Sequence, residues 1–88
     1  MQIDEIKIDL RVFILDNILF GYGDGFEDDS SFQDDGIIDS TGILELISFV
    51  EEKYSISISD NELVPENIDS LNRLSSFVYN KTRNGNSL

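Results

Sequence analysis

The feature that most constrains the fold is an apolar repeat near the middle of the chain. Five apolar residues recur there at intervals of three and four: Ile43, Leu46, Ile47, Val50 and Tyr54. This is the spacing of one face of an α-helix, and Glu45, Ser48 and Glu52 fall on the opposite face. The pattern predicts an amphipathic helix that begins after the pair Asp39-Ser40 and buries one side.

The segment that precedes it, residues 3–20, permits two predictions. Its apolar residues share one helical face, but those between Ile6 and Ile14 also alternate as in a strand. Length favours the helix, because the apolar pattern continues well beyond the five or six residues of a typical strand. Gly21, Gly23 and Gly25 are then expected to end it.

Two more helical segments are predicted towards the C-terminus. Ser59 and Glu62 fit a capping box that opens a single helical turn, and Pro65 is expected to close that turn. Asp69 or Ser70 then caps a last helix that runs to about residue 81. We therefore expect an all-α fold: a small four-helix bundle of three long helices and one short helix over residues 1–82, with a polar, frayed tail at 83–88.

A long acidic loop, residues 21–39, joins the first two long helices. It contains acids and no basic residue: Asp24, Glu27, Asp28, Asp29, Asp34, Asp35 and Asp39. A loop of this length needs an explanation. We expect Phe26, Phe32, Ile37 and Ile38 to hold it against the helical core, with the acids facing water.

The charge of the chain excludes several classes of partner. Six Lys and Arg residues stand against 18 Asp and Glu, a formal net charge of -12 at pH 7. Nucleic acids and anionic membranes carry the same sign of charge, so basic protein surfaces are the expected partners. No apolar run approaches the ~18 residues of a membrane span, and the N-terminus does not resemble a signal peptide. The predicted location is cytoplasmic.

The chain contains neither His nor Cys. The commonest general base, the commonest zinc ligand and all thiol nucleophiles are therefore missing. The loop acids fail the spacing of an EF-hand, which leaves weak calcium binding as an alternative to a solvated charge run. A domain this small also offers no enclosed cleft for paired carboxylates. We expect no catalytic activity and no metal site.

One hydroxyl has an unusual setting. Ser40 lies where the acidic loop meets the predicted central helix, after Asp39 and before Thr41 and Gly42. In a purely structural interpretation, Asp39 or Ser40 accepts a hydrogen bond from a free amide of the first turn. In a functional interpretation, Ser40 is modified, because a phosphoryl group there would meet free N–H groups and the positive end of the helix dipole.

Three stretches around this serine form a pattern: DSSFQDDGIIDS at 29–40, ILELI at 43–47 and EEKYSI at 51–56. Together they resemble the acyl carrier protein family, and the similarity extends over most of the chain. In that family an Asp-Ser pair at the start of the second helix carries 4′-phosphopantetheine, derived from coenzyme A, on the serine oxygen. The resemblance implies that Ser40 holds this group and that Asp39 assists its attachment.

Two departures bear on the pathway. Carrier proteins of fatty-acid synthesis usually have Leu directly after the serine, where this chain has Thr41 and then Gly42. The pattern Asp-Ser-x-Gly is also similar to the D-alanyl carrier proteins of teichoic acid modification. A carrier of acyl or aminoacyl thioesters for fatty-acid, polyketide or related biosynthesis and a D-alanyl carrier both remain open. A third alternative is an acidic, non-catalytic adaptor in which Ser40 is only a helix cap.

The resemblance also implies partners and their contact residues. The partners are a phosphopantetheinyl transferase, an acyl-activating ligase, and synthase or transferase enzymes with basic docking patches, acting on a monomer. The expected partner-binding residues are Asp35, Thr41, Gly42, Glu45, Ser48, Phe49, Glu51 and Glu52. Phe49 could equally pack under the acidic loop. A carried chain would enter between the helices among Ile43, Leu46, Ile47, Leu63 and Ile68, which could equally be core residues.

Overall fold

The first helix, α1, spans Ile3–Phe13 and continues as a π-helical segment over Ile14–Ile18. The structure is a computed structural model, and it describes residues 2–20 and 26–84. The wider turn appears where the Leu19 amide donates to the Ile14 carbonyl at 2.9 Å. The helical prediction for this segment is confirmed and the strand alternative is wrong. Ile6 and Ile14 are fully buried, whereas Ile8 is 62% exposed, as one face of a helix requires.

The second helix, α2, spans Ser40–Tyr54, as the apolar repeat predicts. Its buried side consists of Gly42, Leu46, Ile47 and Val50. The helix ends at Ser55, whose backbone is left-handed at a φ of 55°. The chain then runs in an extended conformation to a short 3₁₀ turn, Asp60–Glu62.

The predicted capping box at this turn is confirmed, because Glu62 accepts a hydrogen bond from the Ser59 amide at 2.9 Å. The sequence suggested that Pro65 closes this turn. Pro65 instead opens a separate short helix, α3, over Pro65–Ile68. Proline suits this first helical position because its missing N–H has no partner there in any helix.

The last helix, α4, spans Leu71–Asn84. Of the two predicted caps, Ser70 makes the bond: its hydroxyl accepts from the Arg73 amide at 3.0 Å. The helix extends past its predicted end near residue 81 and includes the first two residues assigned to a frayed tail. Residues 85–88 of that tail lie outside the described residues, as do the three glycines at the start of the acidic loop.

One hydrophobic core unites these helices, with α1 packed chiefly against α4 and α2 beside them. Its buried members come from all three long helices and from the loop: Ile6, Leu10, Ile14, Phe26, Phe32, Ile38, Leu46, Ile47, Val50, Ile58, Leu71, Leu74 and Val78. The described part of the chain contains helices and no strand, so the predicted small all-α bundle is confirmed. No helix among the described residues is long and apolar enough to cross a membrane.

The acidic loop is held to the helices at several points, among them Asn72 of α4, whose amide donates to the Asp28 carbonyl at 3.0 Å. Near its start, Asp28 pairs with Arg11 and with Lys7, whose Nζ lies 3.4 Å from the carboxylate. The hydrogen bond from Arg11 is the main cause of the lowered pKa of Asp28. Asp28 thus pairs with α1 while 42% of its side chain stays exposed, so the expectation that the loop acids face water is only partly met at this residue. Phe26 and Phe32 are buried beside it, as predicted, in an edge-to-face pair.

Another point of attachment is Asp69, at the junction of α3 and α4. Its carboxylate accepts from the Ser31 hydroxyl at 2.5 Å and from the Gln33 amide at 2.9 Å. Its carbonyl accepts from the Phe32 amide at 3.0 Å. These bonds bring the loop segment that leads to Ser40 against the short helix α3.

Candidate functional site

The N-terminus of α2 is capped by Asp39. Its carboxylate accepts a hydrogen bond from the Gly42 amide at 2.8 Å, and its carbonyl accepts from the Ile43 amide at 2.9 Å. Ser40 is the first helical residue and its side chain is exposed. The structural interpretation, in which Asp39 or Ser40 caps the helix, is therefore confirmed for Asp39, and the alternative in which Ser40 is the cap is wrong.

Gly42 is buried, so it does not belong to a partner-binding surface as the sequence suggested. A Cβ atom at this position would lie 2.6 Å from Cγ2 of Ile38 and 3.3 Å from Cγ2 of Ile18. Separations of this kind are closer than van der Waals contact allows. Glycine lets the first turn of α2 approach both the end of the acidic loop and the π-helical end of α1.

An open groove of about 590 Å³ lies next to Ser40. It is bounded by the end of the acidic loop, the first turns of α2, and the segment that leads from the 3₁₀ turn through α3. Six of its lining residues are apolar: Ile38, Ile43, Leu44, Leu63, Pro65 and Ile68. The other five are polar or glycine: Gln33, Gly36, Asp39, Ser40 and Asp69. A group attached to Ser40 would thus have an apolar surface within reach.

Only part of the predicted chain-binding set lines this groove. Ile43, Leu63 and Ile68 do, whereas Leu46 and Ile47 face the core, with exposures of 0% and 6%. The alternative prediction, that such residues are simply core, is therefore correct for these two. They occupy the centre of the buried stripe, and Ile43 lies at its edge.

Sequence reasoning missed six of the groove residues: Gln33, Gly36, Ile38, Leu44, Pro65 and Asp69. Leu44 could have been found, because it lies off the buried stripe of α2 and is 59% exposed. Pro65 and Asp69 carry no local signal, since they reach the groove only through the packing of α3 beside the loop.

The remaining candidates for partner contact divide into two groups. Asp35, Thr41, Glu45, Ser48 and Glu52 are exposed and available to a partner. Glu51 is half-buried, and its carboxylate accepts from the Ile58 amide at 2.9 Å. That bond uses Glu51 to hold the segment after α2, so it does not present a free charge as expected.

Phe49 is also half-buried. One alternative predicted that it packs under the acidic loop, and this is wrong. Its ring stacks on Phe13 of α1, with centroids 4.1 Å apart and planes inclined by 16°. The two rings line a second, smaller groove of about 420 Å³, on the edge of α2 that faces α1. Its other lining residues are Glu45, Ser48, Glu52 and Lys53.

At one end of this second groove Asp9 contacts two residues of α2. Its carboxylate lies 3.9 Å from Lys53 Nζ and accepts from the Tyr54 hydroxyl at 3.1 Å. Burial, followed by the hydrogen bond to Asp9, raises the pKa of the Tyr54 phenol. Within residues 2–20 and 26–84, no three acidic side chains lie close enough together to form a metal site.

A scan against models of protein families and a search of curated proteins each found no match for this chain. The motif around Ser40 and the geometry at the start of α2 are therefore the features that bear on function.

Proposed function

We propose that this protein is a carrier protein whose Ser40 bears a 4′-phosphopantetheine arm. The observation that carries the proposal is that the helix cap and the exposed serine are two separate residues at the start of α2. Asp39 caps the helix, and Ser40, next to it, is exposed at the edge of an apolar groove. The resemblance of residues 29–56 to the acyl carrier protein family supports the same assignment.

The setting of Ser40 suits a phosphodiester. A negatively charged group on the first residue of α2 would lie at the positive end of the helix dipole, which is worth about 0.3 to 1 kcal/mol in exposed positions. The Asp39 carboxylate opposes part of this gain through like-charge repulsion. The hydroxyl can be modified without loss of the cap, because the Gly42 amide keeps its bond to Asp39.

The arm would supply what the chain lacks. With no Cys and no His in the sequence, the protein has no thiol of its own, and the arm ends in one. An acyl group carried there as a thioester would be delivered to successive enzymes at a raised effective concentration. In this proposal the protein is a cosubstrate of those enzymes and performs no catalysis itself.

The groove favours an acyl group over D-alanine as the cargo. Ile43, Leu63 and Ile68 offer an apolar surface that a hydrocarbon chain could cover, whereas D-alanine is small and carries an ammonium group. The glycine two residues after Ser40, which suggested a D-alanyl carrier, has a packing role against Ile18 and Ile38. It therefore does not favour either class of carrier.

The exposed acids Asp35, Glu45 and Glu52 support partners with basic docking patches, among them a phosphopantetheinyl transferase, a ligase and a synthase. Their attraction would be steered by charge and weakened by salt. The proposal includes a monomer that acts in the cytoplasm, where such enzymes and coenzyme A would be met.

The test is intact mass spectrometry after incubation with coenzyme A, magnesium and a phosphopantetheinyl transferase of broad specificity. The wild-type protein should gain the mass of one phosphopantetheine, and Ser40→Ala should gain none. Ser76→Ala removes an exposed hydroxyl on α4, away from the start of α2, and should be loaded like the wild type. No mass gain in the wild type, or a gain retained in Ser40→Ala, would overturn the proposal.

A second measurement addresses the cargo. Methyl NMR spectra of protein loaded with a short or a longer acyl group should differ most at Ile43, Leu63 and Ile68. Leu46 and Ile47, which face the core, should change less. Methyl shifts that do not depend on chain length would show that the groove does not bind the acyl group.

A further inference from the structure

The outer face of α1 carries two exposed apolar side chains, one helical turn apart. Ile8 is 62% exposed and Val12 is 51% exposed, and residues four apart on a helix are neighbours. Both are β-branched, and such residues are poorer helix formers than Leu, Lys or Glu. In the free protein these two residues therefore contribute little burial and little helix propensity.

The other long helices do not present a comparable face. The exposed residues of α4 between positions 71 and 83 are all polar: Arg73, Ser76, Asn80 and Arg83. On α2 the one exposed aliphatic residue is Leu44, which lines the groove beside Ser40. Within the part of the chain that the structure describes, no residue of α1 lines that groove. A partner can therefore contact Ile8 and Val12 without entering it.

An exposed carboxylate lies at each end of this apolar pair. Asp4 precedes Ile8 by four residues and Asp16 follows Val12 by four, so these four residues form a single row along the helix, the α1 ridge. Both carboxylates are exposed. Neither has a cationic partner within residues 2–20 and 26–84.

The two basic residues of α1 do not neutralise the α1 ridge. Lys7 and Arg11 both pair with Asp28 of the acidic loop. The ridge thus presents a negative charge, two apolar side chains and a second negative charge over about 18 Å of helix. In the commonest class of helix packing, rows of this spacing on two helices lie parallel to each other. A complementary helix would place two apolar residues between two cations.

A second copy of this chain does not fit the α1 ridge. If two α1 helices paired in the same direction, Asp4 would face Asp4 and Asp16 would face Asp16. In the opposite direction, each Asp4 would face an Asp16. Both arrangements bring like charges together at both ends of the apolar pair, which opposes association. An anionic membrane surface would be repelled for the same reason.

We propose that the α1 ridge binds an amphipathic helix of a partner protein, with a contact row of cation, apolar, apolar and cation at spacings of four. Ile8 and Val12 contact its apolar residues, and Asp4 and Asp16 pair with its cations. A partner held there leaves the groove beside Ser40 open. The inference does not rest on the modification of Ser40.

The test uses the unmodified full-length protein and two alanine-based helical peptides of equal composition and charge. The matched peptide has the contact row Lys, Leu, Leu, Lys at spacings of four, and the exchanged peptide has Leu, Lys, Lys, Leu. NMR titration with the matched peptide should shift the amide resonances of residues 4–16. It should bind about 2- to 30-fold more tightly than the exchanged peptide, the ratio that two exposed ion pairs provide. Because Ser40 carries no arm here, failure of the carrier function would not affect the result.

One pair of variants tests the apolar contact. I8A/V12A keeps good helix formers at both positions and should weaken binding of the matched peptide roughly tenfold, because apolar area is lost. L44A/V64A removes two exposed aliphatic side chains that lie outside α1, and it should bind the peptide like the wild type. Circular dichroism checks that each variant keeps its helices.

A second pair of variants tests the two charges. D4N/D16N should weaken the matched peptide more than D34N/D60N, which removes the same charge from exposed sites elsewhere. If I8A/V12A does not fold, this comparison still decides the question.

Three results would overturn the proposal. The first is equal affinity of the wild type for the matched and exchanged peptides. The second is a loss of binding in L44A/V64A as large as in I8A/V12A. The third is a loss in D4N/D16N no greater than in D34N/D60N.

Discussion

The Asp39 carboxylate accepts a hydrogen bond from the Gly42 amide at 2.8 Å, and this bond closes the first turn of α2 around Ser40. The serine that the motif singles out therefore contributes little to the helix that contains it. Two residues near Ser40 have separate structural roles: Asp39 caps the helix, and Gly42 allows its close packing.

This arrangement predicts different effects of two adjacent substitutions. Asp39→Ala should lower the free energy of unfolding by about 1 kcal/mol, because an N-cap is lost. Ser40→Ala should change it by less than about 0.5 kcal/mol, as exposed positions generally do. Urea denaturation of both variants measures the difference, with Asp39→Asn as a control that retains a capping oxygen. A loss in Ser40→Ala as large as in Asp39→Ala would contradict the assignment of the cap.

A methyl group at position 42 should be harmful. In an exposed helix Gly→Ala usually stabilises by roughly 0.5 to 1 kcal/mol. Here the added Cβ would lie 2.6 Å from Cγ2 of Ile38, so we expect a loss of about 1 to 3 kcal/mol from overpacking. Urea denaturation checks the sign.

The same contact can be tested by a double-mutant cycle. Gly42→Ala should be less harmful in an Ile38→Ala background, because the clashing methyl is gone. Identical losses in both backgrounds would show that Ile38 is not the obstacle.

Glu62 should make stability depend on acid pH. The Ser59 amide, with help from Lys81, lowers the pKa of Glu62 from 4.5 to about 2. A carboxyl group with a lowered folded-state pKa stabilises the fold fully above its unfolded-state pKa, and this contribution is lost as pH falls through the folded-state value. Glu62→Gln should therefore lower the free energy of unfolding by about 1 to 2 kcal/mol at neutral pH.

Urea denaturation at several pH values measures this dependence. The deficit of Glu62→Gln should shrink as pH falls from about 5 towards 2, because the protonated carboxyl of the wild type then resembles the amide. Glu66→Gln, at an exposed acid of α3, should show no comparable trend. A deficit that is independent of pH would contradict the role of the charge.

Truncation of Leu44 and of Leu46, two residues apart on α2, should have very different effects on stability. Leu46 is fully buried, so Leu46→Ala should lower the free energy of unfolding by about 2 to 5 kcal/mol. Leu44 is 59% exposed beside the groove, and Leu44→Ala should leave stability within about 0.5 kcal/mol of the wild type. Thermal or urea denaturation of the pair distinguishes groove from core. Equal losses would mean that Leu44 is packed in the core.

Much of the fold could be predicted because its determinants are local. The α2 stripe repeats over a few turns, and the caps at Ser59 and Ser70 depend on residues three positions away. Loop residues such as Phe32 were also recognisable, since an aromatic side chain in an acidic segment has few places to go other than the core. Two boundaries were misjudged. Pro65 opens α3, because proline ends one element and begins another equally well, and α4 continues past its predicted end near residue 81.

The grooves could not be predicted in the same way. The ring of Phe49 lies against that of Phe13, and the Asp69 carboxylate accepts from Ser31, 38 residues earlier in the chain. No periodicity within α2 distinguishes a ring that faces a partner from one that faces α1. The burial of Gly42 likewise depends on two side chains supplied by other segments.

The pairing of Asp28 with Lys7 and Arg11 belongs to a wider pattern. All six basic residues of the sequence have a partner within the molecule: Lys7, Arg11, Lys53, Arg73, Lys81 and Arg83. Lys7, Arg11 and Lys81 are in partly buried ion pairs with Asp28 and Glu62, and salt screens such pairs far less than charges that approach through solvent. Ionic strength should therefore affect the binding of partners and not the stability of the fold. A rise in salt would release a basic partner while the helices stay assembled.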